Sequence, residues 1–143
     1  MTTQTLAGEI ALVTGASRGI GQAIALALGA AGARVLGTAT AAAGVATIDA
    51  KLAEAGIAGR GLVLDVSDGA AIDAAIADIE GREGAVTILV NNAGITRDTL
   101  LLRMKSEDWD AVIDTNLGSV FRLSKAVLRG MMKARRGRII NIA

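Results

Sequence analysis

Apolar positions along the chain alternate between short continuous runs and longer stretches with a helical period. The short runs are typical of strands that are buried on both faces of a parallel sheet. We expect strands over residues 9–14, 34–38, 61–66, 86–90 and 138–143. In the longer stretches apolar residues recur every three or four positions, which predicts helices. We expect helices over residues 19–31, 42–55, 68–80 and 106–135.

Strand and helix alternate from one end of the chain to the other, and right-handed crossovers then produce a doubly wound parallel sheet. We therefore predict an α/β, Rossmann-like domain that binds a dinucleotide over residues 1–143, with strand order 3-2-1-4-5. The last apolar run reaches Ala143 without a turn or polar tail, and an apolar edge strand requires cover. We expect the sheet to be truncated in this fifth strand and the natural protein to continue beyond residue 143.

Composition excludes several classes of site. The sequence contains no Cys, no His and no Tyr, so thiol nucleophiles, Ser-His-Asp chemistry and His- or thiolate-based metal sites are absent from it, and we predict no metal. A net charge of +1 gives no argument for a nucleic-acid partner. The apolar stretch 19–48 is interrupted by glycines and is not a membrane span, and residues 1–8 do not resemble a signal peptide. We expect a cytoplasmic protein.

A glycine-rich segment joins the first predicted strand to the first predicted helix. It reads Thr-Gly-Ala-Ser-Arg-Gly-Ile-Gly over residues 14–21. In such a turn the first glycine allows a sharp bend, the second lets the backbone approach a pyrophosphate, and the third lets the helix pack on the strand. Glycine turns without a ligand are common, so the segment indicates a pyrophosphate site only in combination with other features.

Polar residues follow two other predicted strands, and one interrupts the last helix. Residues 91–94 read Asn-Asn-Ala-Gly, and Asp65-Val66 end the third strand. Ligands of open α/β sheets bind at the carboxyl ends of strands, although an ordinary Asx turn would also explain either group. Asn116 stands in mid-helix, where Asn competes for backbone hydrogen bonds, so we expect a specific role for it.

These four features occur in the order and spacing of the short-chain dehydrogenase/reductases, and the chain resembles that family over its whole length. Within the family it is similar to bacterial reductases of 3-oxoacyl chains bound to acyl-carrier protein. The blocks that carry this likeness are residues 37–40, 91–99, 101–105 and 121–127. The resemblance implies an NADP(H)-dependent oxidoreductase of fatty-acid biosynthesis that takes acyl-carrier protein as its partner and forms a homotetramer.

The resemblance also implies roles for individual residues. The cofactor-binding residues would be Gly15, Ser17, Arg18, Gly19, Ile20, Gly21, Thr40, Asp65, Val66, Asn92, Ala93 and Gly94. Asn116 would be catalytic, because it matches the asparagine that holds a water in the family's proton relay. The family's catalytic Ser, Tyr and Lys have no counterpart here and would follow Ala143.

Two basic features of the sequence each have a specific and an ordinary interpretation. The end of the second strand carries no acid that would repel a 2′-phosphate, and Arg18 stands nearby, which favours NADPH unless Arg18 is only a solvated charge. The basic end of the last helix is typical of a solvated terminus that favours the helix dipole. By the resemblance, Arg135 and Arg136 would instead dock the acidic carrier protein.

Two other functions remain as alternatives. The chain could bind the cofactor without catalysis, or it could belong to a related reductase of a small carbonyl or alcohol substrate. The segments that decide substrate specificity in this family normally lie beyond residue 143. An intact mass near 14.4 kDa would favour the first alternative.

Overall fold

A parallel sheet of five strands forms the centre of the structure, a computed structural model that describes residues 4–94 and 101–142. Its strands are β1 (Ile10–Val13), β2 (Arg34–Ala39), β3 (Gly59–Val63), β4 (Ile88–Asn91) and β5 (Arg138–Asn141). Neighbouring strands are all parallel, in the order β3-β2-β1-β4-β5. The predicted fold class and strand order are confirmed.

Helices cover both faces of the sheet. They are α1 (Gly19–Ala30), α2 (Ala42–Glu54), α3 (Gly69–Arg82), α4 (Ser106–Val112) and α5 (Ser119–Ala134). Helices α1 and α2 pack on one face and α3 and α5 on the other, each over its own buried cluster. Leu12 faces the α3/α5 side while its neighbours Ala11 and Val13 face the α1/α2 side. This two-sided burial explains why the strands appear in the sequence as continuous apolar runs.

The third strand lies earlier in the chain than predicted. It spans Gly59–Val63 rather than residues 61–66, because β2 pairs with it from Val35↔Gly59 to Ala39↔Val63. Leu64 and Val66 are buried in the core although they follow the strand. Residues 61–63 of the predicted strand do pair with β2, whereas the rest of the apolar run marks core contacts beyond the strand, so the predicted boundaries were wrong.

The predicted helix over residues 106–135 contains a segment of a different helical type. A π-helical segment, Ile113–Gly118, joins α4 to α5 without a break in the helical backbone. Apolar periodicity did not reveal it, because one extra residue in a single turn shifts the pattern only slightly. A 3₁₀ turn over Leu101–Arg103 was also missed.

Helix α5 ends at an arginine in a conformation that favours glycine. Arg135 has a φ of 57°, and the N–H groups of Arg135 and Arg136 donate to the carbonyls of Met132 and Met131. This is the Schellman arrangement, in which the left-handed position is usually Gly. Gly137, the next glycine in the sequence, lies two residues further along.

Some sequence predictions extend outside the described residues. These are residues 95–99 of the block 91–99 and Ala143 of the fifth predicted strand. Within the described ranges, no helix combines the length and apolar character that a membrane span requires.

Candidate functional site

A cleft of about 710 Å³ lies at the carboxyl edge of the sheet. It is lined by the turn after β1, the ends of β2 and β3, the turn after β4 and Thr115. Every cofactor-binding residue predicted from the sequence lines this cleft except Gly21. The fold therefore brings together groups that lie far apart along the chain.

The glycine turn is attached to β2 by a buried threonine. The N–H of Gly15 donates to Oγ1 of Thr38 at 3.2 Å, and the N–H of Ala16 donates to the carbonyl of Thr38 at 2.9 Å. Thr38 is 1% exposed, so the acceptor of both bonds is a buried residue. They hold the turn over the end of the sheet.

A second threonine joins the glycine turn to the turn after β4. Thr14 Oγ1 accepts the N–H groups of Asn92 and Ala93, at 3.0 and 2.9 Å, and donates to the carbonyl of Val90 at 3.4 Å. Asn92 Nδ2 donates to the carbonyl of Gly15 at 3.1 Å. No role for Thr14 or Thr38 was predicted from the sequence. The available signal was a hydroxyl residue near the end of each of two strands predicted to be neighbours.

Glycine is required at two positions of the turn for different reasons. Gly19 has a φ of 59° at the start of α1, and a Cβ there would meet no atom within 4 Å, so the backbone faces open space in the cleft. A Cβ on Gly21 would instead collide with the carbonyl oxygen of Gly15 and lie 2.5 Å from Asn92 Nδ2. Gly21 therefore lies beneath the cleft and allows α1 to approach it. The N-terminus of α1 presents N–H groups that favour an anion.

Asp65 provides a negative charge at the end of β3. Its Oδ1 accepts hydrogen bonds from the hydroxyl and the N–H of Ser67, at 2.6 and 2.9 Å. The hydroxyl bond first, and the backbone bond second, lower the pKa of Asp65 below its ordinary value. The carboxylate is therefore ionised near neutral pH and is a good acceptor for an N–H donor.

Asn116 lies within the π-helical segment and is half-buried. Its Oδ1 is 2.7 Å from the point where a Cβ on Gly94 would stand, so its side chain lies against the turn after β4. Its carbonyl accepts a hydrogen bond of 3.2 Å from the hydroxyl of Ser119. Asn116 does not line the cleft, whereas its neighbour Thr115 does. Single π turns are uncommon and frequently occur at functional sites.

Arg135 and Arg136 lie at the other edge of the sheet. Arg136 donates to the carbonyl of Gly8 at 3.1 Å and pairs with Glu9 at 3.5 Å, just before β1 begins. Both arginines are exposed. Within this chain they are separate from the cleft.

Comparison with known proteins identifies the family. The model of the short chain dehydrogenases matches residues 9–143. The chain belongs to the short-chain dehydrogenase family. The family predicted from the motifs is therefore confirmed.

Three curated relatives of this short-chain dehydrogenase chain are 3-oxoacyl-[acyl-carrier-protein] reductases. The Pseudomonas aeruginosa protein is 60% identical over 138 residues, which cover 96% of this chain and 56% of the relative. The Escherichia coli protein is 60% identical over 135 residues, covering 94% and 54%. The Vibrio harveyi protein is 58% identical over 137 residues, covering 96% and 55%. The chain thus spans about half the length of these relatives.

The close approach at Gly21 predicts a strong effect of a small substitution. We expect Gly21→Ala to lower the free energy of unfolding by about 1–3 kcal/mol, because the added methyl group displaces the backbone of the turn. Gly81→Ala, also in a helix, is the matched control, since a Cβ there meets nothing within 4 Å. It should be neutral or stabilise by up to about 1 kcal/mol. Thermal or denaturant unfolding measures both, and an unchanged stability of Gly21→Ala would contradict the packing described.

The hydrogen bonds to Asp65 predict how its carboxyl group titrates. A lowered pKa in the folded protein stabilises the fold above the ordinary pKa, and this stabilisation is lost as pH falls through the lowered value. We expect Ser67→Ala to raise the pKa of Asp65 towards its ordinary value but not to reach it, because the backbone N–H of residue 67 still donates. NMR titration of the Asp65 carboxyl measures this. The prediction fails if Asp65 titrates identically in the two proteins.

Proposed function

We propose that this chain is the cofactor-binding part of an NADPH-dependent reductase of 3-oxoacyl chains carried on acyl-carrier protein, acting in fatty-acid biosynthesis. The observation that carries the proposal is the 60% identity to two reductases whose names specify that substrate. The cleft supports it, because three of the four features that resemble the family's motifs line a single site. The predicted cytoplasmic location remains a prediction.

The shape and charge of the cleft suit a dinucleotide. Its volume of about 710 Å³ is within the range of small-molecule sites, roughly 300–1,000 Å³. The N-terminus of α1 would bind the pyrophosphate, Asp65 would accept a hydrogen bond from the adenine amino group, and residues 92–94 would contact a ribose. When bound, the nicotinamide cofactor supplies the hydride for carbonyl reduction.

Asn116 would hold a water in the path of the proton that carbonyl reduction consumes. By the resemblance to the family, the acid would be a Tyr that follows Ala143, since the sequence itself contains no Tyr. We therefore propose that the 143-residue chain alone binds NADPH without reducing a ketone. The full-length protein is expected to oxidise NADPH in the presence of a 3-oxoacyl thioester.

Arg18 is the residue we expect to distinguish the two nicotinamide cofactors. It is exposed and lines the cleft together with Thr40, and residues 36–40 contain no acid that would repel a 2′-phosphate. A charge-assisted contact to phosphate contributes on the order of 1.5–3 kcal/mol. NADPH should therefore bind more tightly than NADH.

The test is calorimetric titration with both cofactors. Arg18→Ala should narrow the preference for NADPH by at least about tenfold, since it removes the proposed contact to the 2′-phosphate, a group that NADH lacks. Arg34→Ala is the control, because Arg34 is also exposed but stands at the opposite end of β2. Equal affinities of the unmodified protein for NADPH and NADH would contradict the proposal.

The conformation of Arg135 supports a docking role for its side chain. A non-glycine residue in the left-handed region costs about 1–2 kcal/mol, and Arg135 occupies that region at the exposed end of α5. We propose that Arg135 binds the acidic carrier protein, with Arg136 beside it. The bonds of Arg136 to Gly8 and Glu9 give it a structural role as well.

A glycine substitution separates stability from docking. Arg135→Gly should raise the unfolding temperature, because it relieves the left-handed strain, yet raise KM for a carrier-bound substrate up to about fivefold. KM for a short thioester without the carrier should stay unchanged. Lys133→Gln, two residues earlier in the last turn of α5, is the control. An unchanged KM for the carrier-bound substrate would refute docking at Arg135.

A row of exposed apolar side chains supports the proposed homotetramer. The row follows α4, the π-helical segment and α5, and every member is at least 39% exposed: Trp109, Ile113, Leu117, Phe121, Leu128 and Met132. Extended apolar surfaces of this kind mark interaction sites. We propose that this face packs against other copies of the protein.

Light scattering of the full-length protein tests the proposed assembly. Leu117→Glu should reduce the measured mass below that of a tetramer, because it introduces a charge into the apolar row. Leu102→Glu is the control, since Leu102 is 99% exposed and lies outside the row. A tetramer that survives Leu117→Glu together with Phe121→Glu would exclude this face as an interface.

A further inference from the structure

An ion pair spans the π-helical segment in which Asn116 lies. Nη2 of Arg122 is 2.5 Å from Oδ1 of Asp114, and its Nη1 is 3.5 Å from the carbonyl oxygen of Asp114. Asp114 lies within the segment and Arg122 lies in α5, one turn beyond its end. The guanidinium thus contacts both the side chain and the backbone of the segment.

The spacing of the two residues links this ion pair to the π turn. Each residue of an α-helix turns by about 100°, so residues i and i+8 lie about 80° apart around the axis, whereas i and i+7 lie about 20° apart. A π turn contains one extra residue, so across it residue i+8 takes the angular place of i+7. The pair is therefore aligned in the π form, and a regular α-helix would rotate the two side chains apart.

Gly118, the last residue of the segment, provides the space for this contact. A Cβ on Gly118 would lie 3.1 Å from both Arg122 Nη1 and Asp114 Oδ1. The ion pair therefore lies flat on the helix surface over Gly118. It bridges the segment from its second residue past its end.

Asn116 stands between the two ends of this bridge, with its side chain against Gly94. We propose that Arg122, through Asp114, is a positioning residue that maintains the π turn and so holds Asn116 at the turn after β4. This inference rests on the proposed function, in which Asn116 holds the relay water. Arg122 itself does not line the cleft.

Steady-state kinetics of the full-length protein, with NADPH and a 3-oxoacyl thioester, provide the first test. Arg122→Gln and Asp114→Asn should each lower kcat by about two- to fivefold, the range expected from the loss of one partly exposed ion pair. KM for NADPH should not change, and Arg122→Lys should recover part of the loss. Lys125→Gln, an exposed cation on the same helix, should leave kcat unchanged.

A double-mutant cycle distinguishes positioning from a general effect on stability. If Arg122 acts through Asn116, Arg122→Gln should not lower kcat further in an Asn116→Ala background. Equal fold losses with and without Asn116 would overturn the inference, and so would full activity of Asn116→Ala.

Hydrogen exchange separates this inference from the proposed function. The amides of residues 113–118 should exchange faster in Arg122→Gln than in Lys125→Gln, whether or not the protein reduces a 3-oxoacyl substrate. Faster exchange in a protein without that activity would refute the proposed function but not the inference that the ion pair maintains the π turn. Unchanged exchange in an active protein would refute only the inference that the ion pair maintains the π turn. Should Arg122→Gln fail to fold, Asp114→Asn carries the same comparison.

Discussion

The candidate site depends on the hydrogen bonds that the hydroxyl group of Thr14 makes. Where a parallel strand ends, its backbone N–H groups lose their partners and need others if they are buried. Thr14 Oγ1 accepts two such groups, from Asn92 and Ala93, and thereby joins the turn after β4 to the turn after β1. Thr38 accepts a third, from Gly15. Both walls of the cleft are therefore held by hydrogen bonds to buried threonines.

The groups around the cleft suit a ligand that carries both an anionic group and an N–H donor. The N-terminus of α1 favours an anion, while Asp65, at the end of β3, has a lowered pKa and stays ionised. An anion at Asp65 would be repelled, and an N–H donor would be favoured there. This separation agrees with the proposed orientation of a dinucleotide, with the pyrophosphate at α1 and the adenine at Asp65.

Two local departures from ordinary helix structure coincide with two of the proposed roles. The π turn surrounds Asn116, and the left-handed backbone occurs at Arg135. Each departure costs free energy that a regular helix or a glycine would not. Such costs are typical of positions where function, rather than stability, determines the structure.

Local pattern determined most of this fold and most of the candidate site. Continuous apolar runs that alternate with helical periods predict a parallel sheet covered on both faces, and the carboxyl ends of its strands meet at one edge. The strand order and the grouping of Gly19, Asp65 and Asn92 in one cleft follow from that. Only the tertiary structure decided the bounds of β3, the hydrogen bonds of Thr14 and Thr38, the π turn at Asn116 and the bridge from Asp114 to Arg122. These features depend on sheet register and on one extra residue in a helical turn, and apolar periodicity is insensitive to both.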